Sequence, residues 1–375
     1  MKTFTLRCRA RRGAAAAAAL FALMAPAHGA GVPAPSAFKD PLDHPAPRVT
    51  EPQLRPMMAV ARAGARIVAV GSRGLVVVSD DQGASWTQAR VPVQSDLVAV
   101  QFPNASDGWA VGHDGVILHS ADGGASWTKQ LDGRMAATRF RAFYAKLVAD
   151  GAPDAARVLA QVERNFKSGP ALPYLDVWFS DSLRGYAVGA FGMIAATVDG
   201  GKTWEPWLHR IDNPEFLNLN GIRGVGERIY VVGEQGTVYA LDGDGARFGR
   251  AQTGYAGSFF GVAGNERVLL AFGLRGNVYR SEDQGRRWEA VKTGSDATVM
   301  GGAAAPDQGG FVLVNSAGLL LLGGAAGHEF KPVQPARPMR YTNLAILDDR
   351  ALVLTGLAGV RVEPRPAAQP PTDHP

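Results

Sequence analysis

Four acidic turns hold the residues best suited to chemistry. Asp81, Asp122, Asp199 and Asp283 lie in "SDDQGASW", "SADGGASW", "TVDGGKTW" and "SEDQGRRW". Each is followed two residues later by glycine and five later by Trp86, Trp127, Trp204 or Trp288. A carboxylate so placed can act as a general acid or base, or accept hydrogen bonds from the N–H groups of its own turn. Catalysis needs such a group once, or as one pair. Four copies in one setting read as scaffold. The acid folds the turn, glycine permits its left-handed step, and tryptophan buries a large apolar area between neighbouring elements.

Other catalytic patterns are missing from the chain. His113 and His119 are six apart across a predicted hairpin, and His44, His209 and His328 are scattered, which is not metal-ligand spacing. No GxSxG elbow or HExxH occurs. The glycines near Gly71 open a hairpin rather than a helix, so they form no phosphate loop. No catalytic residue, metal or cofactor is assigned, and no small-molecule substrate is expected.

The elements that position these turns repeat. A short apolar strand, glycine, two variable residues, a second glycine and another strand recur, as in "VAVGSRGLVVVS", "WAVGHDGVILHS" and "YAVGAFGMIAAT". The first-glycine position falls at 71, 112, 189, 233, 273, 315 and 356, giving spacings of 41, 77, 44, 40, 42 and 41. The second spacing equals one repeat plus about 36 inserted residues. Alternation and β-branched content divide each repeat into four strands, for example "LVAVQF", "GWAVG", "GVILHS" and "SWTKQ". Seven such units predict an all-β, seven-bladed β-propeller with four-stranded blades. The fourth and sixth units have lost the acidic turn, keeping "GDGARF" and "AAGHEF", and the seventh ends before its outer strand. A segment between Ala37 and Val49 is expected to supply that strand and cover the exposed edge.

The acidic turn resembles the Asp-box, or BNR, turn of several propeller families. The cadence "VG..G....S.DGG.SW" in blades one, two, three and five, with the blade count and leader, resembles the photosystem II stability/assembly-factor family of seven-bladed BNR propellers. The likeness covers roughly residues 57–362. It implies a non-enzymatic binder that assists assembly of membrane protein complexes. In exported relatives from non-photosynthetic bacteria it implies an accessory role beside envelope complexes or transporters. The alternative is a glycan-binding or sialidase-like glycoside hydrolase propeller. Sialidases share the box but have six blades, an arginine triad and a tyrosine nucleophile. Their early Arg-Ile-Pro motif is missing here, the nearest stretch being "ARIVAV" at Ala65 to Val70. Arginines, a tyrosine and paired carboxylates at one mouth of the central channel would favour that alternative.

The ends of the chain set its compartment. Lys2, Arg7, Arg9, Arg11 and Arg12 precede the apolar run Ala14 to Leu23, and "PAHGA" follows, which reads as a signal peptide over 1–29 cleaved near Ala27 or Gly29. The one cysteine, Cys8, lies inside it. The protein is therefore expected in a bacterial periplasm. The whole chain has 39 Lys and Arg against 34 Asp and Glu; without the leader each count is 34. A neutral body gives no sign of nucleic-acid binding. A proline-rich segment occupies 30–53, the propeller 54–363, and a tail predicted to be disordered 364–375.

The insertion, 133–170, changes period from two to 3.6. Met135, Phe140, Phe143, Leu147 and Val148 mark one side of a first helix. "DGAPD" breaks it, and Ala155, Val158, Leu159, Val162 and Phe166 mark a second. This helical hairpin between blades two and three carries Arg134, Arg139, Arg141, Lys146, Arg157, Arg164 and Lys167 against three acids. It should share a face with the turns holding Arg73, His113 and Arg275. That face is the candidate site for a protein partner, a membrane or envelope complex, with peripheral membrane contact.

Overall fold

The computed structural model describes residues 39–305 and 310–366. The leader, the start of the proline-rich segment and the tail beyond 366 lie outside them. Seven antiparallel sheets follow one another along the chain, and no strand crosses between them. Blade two is representative, with strands Leu97–Gln101, Gly108–Gly112, Ile117–Ser120 and Thr128–Leu131. Each inner strand packs beside the next, and that of blade one, Met57–Ala63, meets that of blade seven, Tyr341–Ile346. The result is a closed seven-bladed propeller. Second strands such as Leu269–Gly273 are buried along their whole length because a neighbouring sheet covers each face. That is why they read as unbroken apolar runs rather than alternating ones.

Two glycines shape the inner hairpin in six of the seven blades, and they do different work. In blade two, Gly115 takes the left-handed conformation (φ 64°) and follows Asp114, also left-handed at 58°. Gly112 is extended, with φ −177°, so it is not needed for backbone freedom. A Cβ there would lie 1.9 Å from the Asp96 carbonyl oxygen, just before the inner strand. The equivalent approach is 2.2–2.3 Å at Gly71, Gly189, Gly233, Gly273 and Gly356. Blade six has Asn315 instead, fully buried, whose Oδ1 accepts from the Ala317 and Leu319 N–H groups and whose Nδ2 donates to Ser295 Oγ.

Immediately after that approach every inner strand carries a β-bulge. Met57 pairs with Gly71 and Ala59 with Val70, leaving Met58 unpaired. Val98, Leu175, Asn220, Phe260, Met300 and Thr342 are skipped in the same way in the other six blades. A bulge re-aims a side chain, and here all seven line one mouth of the central channel.

The acidic turns lie at the opposite face, between third and fourth strands. Asp122 accepts from the Ser120 hydroxyl (2.8 Å), the Ser126 N–H (2.9 Å) and the Ser126 hydroxyl (2.6 Å). The Trp127 indole donates to the Gly124 carbonyl at 3.0 Å. Asp81 and Asp199 repeat the pattern. Asp283 takes two backbone N–H groups, since Arg287 replaces the hydroxyl residue. Hydrogen bonds from the Ser85 hydroxyl and N–H, and from Ser79, hold the Asp81 carboxyl down at about 2. Trp127 packs among Val68, Val78 and Leu118 of blades one and two and meets Phe102 edge-on. In blades four and six Phe248 and Phe330 are buried in the outer strands that follow the altered turns.

Ring closure differs from the expectation. Among the described residues the last blade has three strands, and residues 39–49 do not complete it; Ala37 and Phe38 lie outside the described residues. The described part of the segment instead runs along the end of blade one. Ala46 N–H donates to the Val91 carbonyl, and the carbonyls of Pro41 and Pro47 accept from Gln94 N–H and Gln88 Nε2. Pro41, Pro45 and Pro47 have no N–H to give a β-ladder, so the segment is held largely through its carbonyls. Blade one joins blade seven by apolar packing of Met57, Ile67 and Val77 on Val353 and Val360, flanked by Trp86 and Val362. The Thr342 hydroxyl adds a hydrogen bond to the Met57 carbonyl at 2.8 Å. Arg361, Glu363 and Pro364 blunt the free edge strand.

Trp127→Ala should cost about 3–5 kcal/mol through the lost aromatic volume, read as a shift in the denaturant midpoint. Asp122→Ala should cost less, and neither change should alter partner binding by the folded fraction. A depressed carboxyl stabilises the fold above its unfolded pKa, near 4. The contribution of Asp81 should therefore be lost as pH falls from about 4 towards 2. An unchanged acid-unfolding midpoint in Asp81→Asn would contradict this.

Candidate functional site

The insertion forms two helices, α1 (Gly133–Ala149) and α2 (Ala155–Asn165). Asp132 caps α1 by accepting from the Met135 N–H at 2.9 Å. Gly133 is required by crowding, because a Cβ there would lie 2.3 Å from the Pro170 carbonyl where the insertion returns. Gly151 (φ 74°) and Pro153 break the hairpin. Ala136, Phe140 and Tyr144 are the buried stripe of α1, and Ala155, Val158 and Val162 that of α2. They pack with Met193, Trp207 and Leu208 of blade three. Val148, expected to face inward, is exposed, and Tyr144 takes the inner position. The stripe follows i, i+4, i+8 from Ala136, a spacing already present in the sequence.

The hairpin stands at the face of the second-to-third-strand turns. The start of α1 packs on the His113–Gly115 turn, where a Cβ on Gly115 would meet Gly133 at 2.9 Å, and the Asn165 amide reaches the Phe191 carbonyl. The basic residues do not form one cluster. Arg134 is consumed by Asp43 (2.7 and 2.9 Å), Asp40 and Asp132, tying the N-terminal segment to the hairpin. Lys146 pairs with Asp150, and Arg164 donates to Gln161. Arg157 stacks over Phe216 and donates to the Pro214 carbonyl. Arg139, Arg141 and Lys167 have no partner among the described residues. Arg73 is exposed beside Gln94 in blade one, His113 is exposed beside α1, and Arg275 belongs to blade five, two blades round from the hairpin. Phe191, 52% exposed at a left-handed turn position, adds an apolar contact next to α2.

The channel mouth at this face was not foreseen. A cavity of about 250 Å³ is lined by the seven bulged residues and, at its floor, by Asp176, Arg223 and Asn343. A second of about 440 Å³ continues towards the other face. Several polar groups of the wall staple neighbouring blades. Gln101 exchanges two hydrogen bonds with the Phe179 backbone, Asn220 donates to the Phe259 carbonyl, and Asp176 accepts from the Ile222 N–H. Burial pushes the Asp176 carboxyl up, against the pull of Arg223. The residues lining both cavities include Arg62, Arg223 and Asp176 as their only charges, and no tyrosine. That is not the arginine triad, tyrosine and carboxylate pair of a sialidase-like site.

The family model described as photosynthesis system II assembly factor YCF48 matches residues 60–142 and 160–356. The chain belongs to that family. The gap between the two matched stretches falls inside the helical hairpin. The photosystem II assembly lipoprotein Ycf48 of Synechococcus sp. (strain CC9902) is 30% identical over 129 residues, spanning 33% of this chain and 38% of that protein. Among solved structures, one described as YCF48 bound to D1 peptide superposes with a TM-score of 0.60 at 15% identity, covering 86% of this chain and 96% of that one. YCF48 from Cyanidioschyzon merolae gives 0.58 at 13%, covering 85% and 97%. The WD40 propeller of Doa1 gives 0.59 at 9%, covering 86% and 95%, so shape alone does not separate the YCF48 fold from other propellers.

The hairpin's seat carries a titratable group. Tyr144 Oη lies 3.0 Å from His209 Nδ1, and Arg210 Nε donates to His209 Nε2. Burial, aided by Arg210, pushes the imidazole down to about 4. A neutral buried histidine favours the fold fully above its unfolded pKa near 6.5 and progressively less towards 4. Amide exchange in α1 should therefore quicken, after correction for intrinsic rates, between pH 7 and pH 4.5. His209→Gln should flatten that dependence, and an unchanged slope would contradict the role of His209.

Proposed function

We propose that this protein is an exported, non-catalytic assembly factor that holds a segment of a membrane protein complex on its hairpin face. Family membership supports the role. The observation that carries the choice of face is the helical hairpin, which stands at this face alone and adds exposed basic side chains to it. At the acidic-turn face, Asp81, Asp122, Asp199 and Asp283 are spent folding their own turns. At the hairpin face Arg139, Arg141 and Lys167 are without partners among the described residues, and Phe191 is 52% exposed. Such a surface suits an extended client segment with acidic and apolar side chains. Its encounter would be steered by charge and weakened by salt. The peptide-bound YCF48 structure supports a polypeptide as the class of client. The same chemistry serves a photosystem subunit or a subunit of another envelope complex.

Removing the whole hairpin would uncover Trp207 and Leu208, so charge reversal is the cleaner test. Arg139→Glu, Arg141→Glu and Lys167→Glu together should leave the melting temperature within about a degree of wild type. Capture of a membrane-complex subunit from detergent-solubilised membranes should fall at least tenfold, and its salt dependence should flatten. Full capture by the triple variant would move the site to another face.

A further inference from the structure

We infer that the groove between blades four and five, on the acidic-turn face, is a binding site for a neutral oligosaccharide. It lies on the face opposite the hairpin and is separate from the site proposed for the client polypeptide. Its volume, about 650 Å³, falls within the roughly 300–1,000 Å³ of small-ligand sites.

An internal arginine fills the corresponding groove between blades one and two. Arg66 pairs with Asp80 at 2.7 and 2.9 Å and reaches the Asp122 and Gly123 carbonyls of the next acidic turn. Arg228 holds the same position in blade four, five residues before the glycine that ends the second strand. Both of its expected partners are taken. Asp242, in the place of Asp80, accepts from the Ala246 and Arg247 N–H groups of its own turn. The Tyr230 hydroxyl donates at 3.3 Å to the Gln284 carbonyl, which stands in the place of that of Gly123. The far wall is also untied. In blades two and three the acidic turn is held to the turn between first and second strands, by Gly123 N–H to Ser106 and Gly200 N–H to Leu183, both at 2.9 Å. The Gln284 N–H makes no such bond among the described residues.

What remains around the groove is a balanced set of unpaired groups. Glu227 and Arg228 stand on the blade-four wall, and Glu266 and Arg267 on the blade-five wall. None of the four side chains makes an ion pair or a hydrogen bond among the described residues. An anion drawn to the arginines would meet two carboxylates, and a cation drawn to the carboxylates would meet two guanidinia. A zwitterion satisfied on one wall would leave the other unmatched. A sugar hydroxyl both donates and accepts, and vicinal hydroxyls match the forks of guanidinium and carboxylate alike. Beneath the charged groups lie Val225, Tyr230, Val268 and Leu269, the last three buried. Their apolar surface suits the C–H faces of pyranose rings.

Titration calorimetry of the full chain with maltotriose, cellotriose and tri-N-acetylchitotriose should give a saturable isotherm for at least one of them. Raising sodium chloride from about 50 to about 300 mM should change that affinity less than twofold, as a neutral ligand requires. Arg228→Ala and Arg267→Ala should each weaken it at least tenfold. Glu227→Gln and Glu266→Gln should weaken it less, because a carboxamide keeps an acceptor. Melting temperatures of the variants identify any that fail to fold. Arg139→Glu, Arg141→Glu and Lys167→Glu together should leave sugar binding unchanged. The Arg228→Ala, Arg267→Ala double variant should leave capture of the membrane-complex subunit unchanged, so either site can fail without the other. No saturable binding of any of the three sugars overturns the inference. Full binding by the folded double variant, or loss of binding in the hairpin variant, also overturns it by placing the sugar elsewhere. Tighter binding of sulfate or of a lysyl-glutamate dipeptide than of any sugar overturns it too, assigning the groove to charged ligands.

Discussion

The contact on which this structure depends is a backbone approach that admits no side chain. In six blades the glycine ending the second strand lies against the carbonyl that precedes the inner strand, so closely that a Cβ would sit within 2.3 Å of oxygen. The approach sets where each inner strand begins. One residue later the strand bulges, and the bulged side chain lines the channel. Blade six reaches the same geometry with a buried asparagine that bonds its own turn. The seven-residue mouth is thus a consequence of hairpin sterics repeated around the ring.

Closure obeys a second constraint. Each sheet is buried on both faces only if blade seven meets blade one, and among the described residues no fourth strand enforces that meeting. Packing of Met57 and Ile67 on Val353 and Val360 does so, with Trp86 sealing the seam. The N-terminal segment instead straps the end of blade one and reaches the hairpin through Arg134 and its three acids. The insertion is therefore fixed at both ends of its first helix, by Arg134 at the start and by Tyr144 and His209 further along.

The architecture was readable because its signals are local and repeated. Glycine spacing counted the blades, and the change of period around Arg134 marked the helices. What was not readable depends on contacts between blades. Nothing in "LNGIRGV" distinguishes Arg223 from other exposed arginines until blade three brings Asp176 beside it. The closure strand was misplaced because a missing edge strand suggests a donor, whereas Pro41, Pro45 and Pro47 cannot form a ladder. Val148 faces outward because it lies one residue off the i+4 step that joins Phe140 to Tyr144, although its apolar character alone suggests the inner side.

The two faces differ in what they carry. One holds the acidic turns and their tryptophans, while the other holds the helical hairpin, exposed Phe191 and the bulge-lined channel mouth. The most direct measurement compares two exposed apolar positions, Phe191 on the hairpin face and Val198, 75% exposed, on the acidic-turn face. Each is replaced in turn by a photoactivatable benzophenone residue, and the protein is irradiated with detergent-solubilised membranes of the producing organism. The account predicts a discrete adduct from position 191 and none from position 198. An adduct from position 198 alone would contradict it.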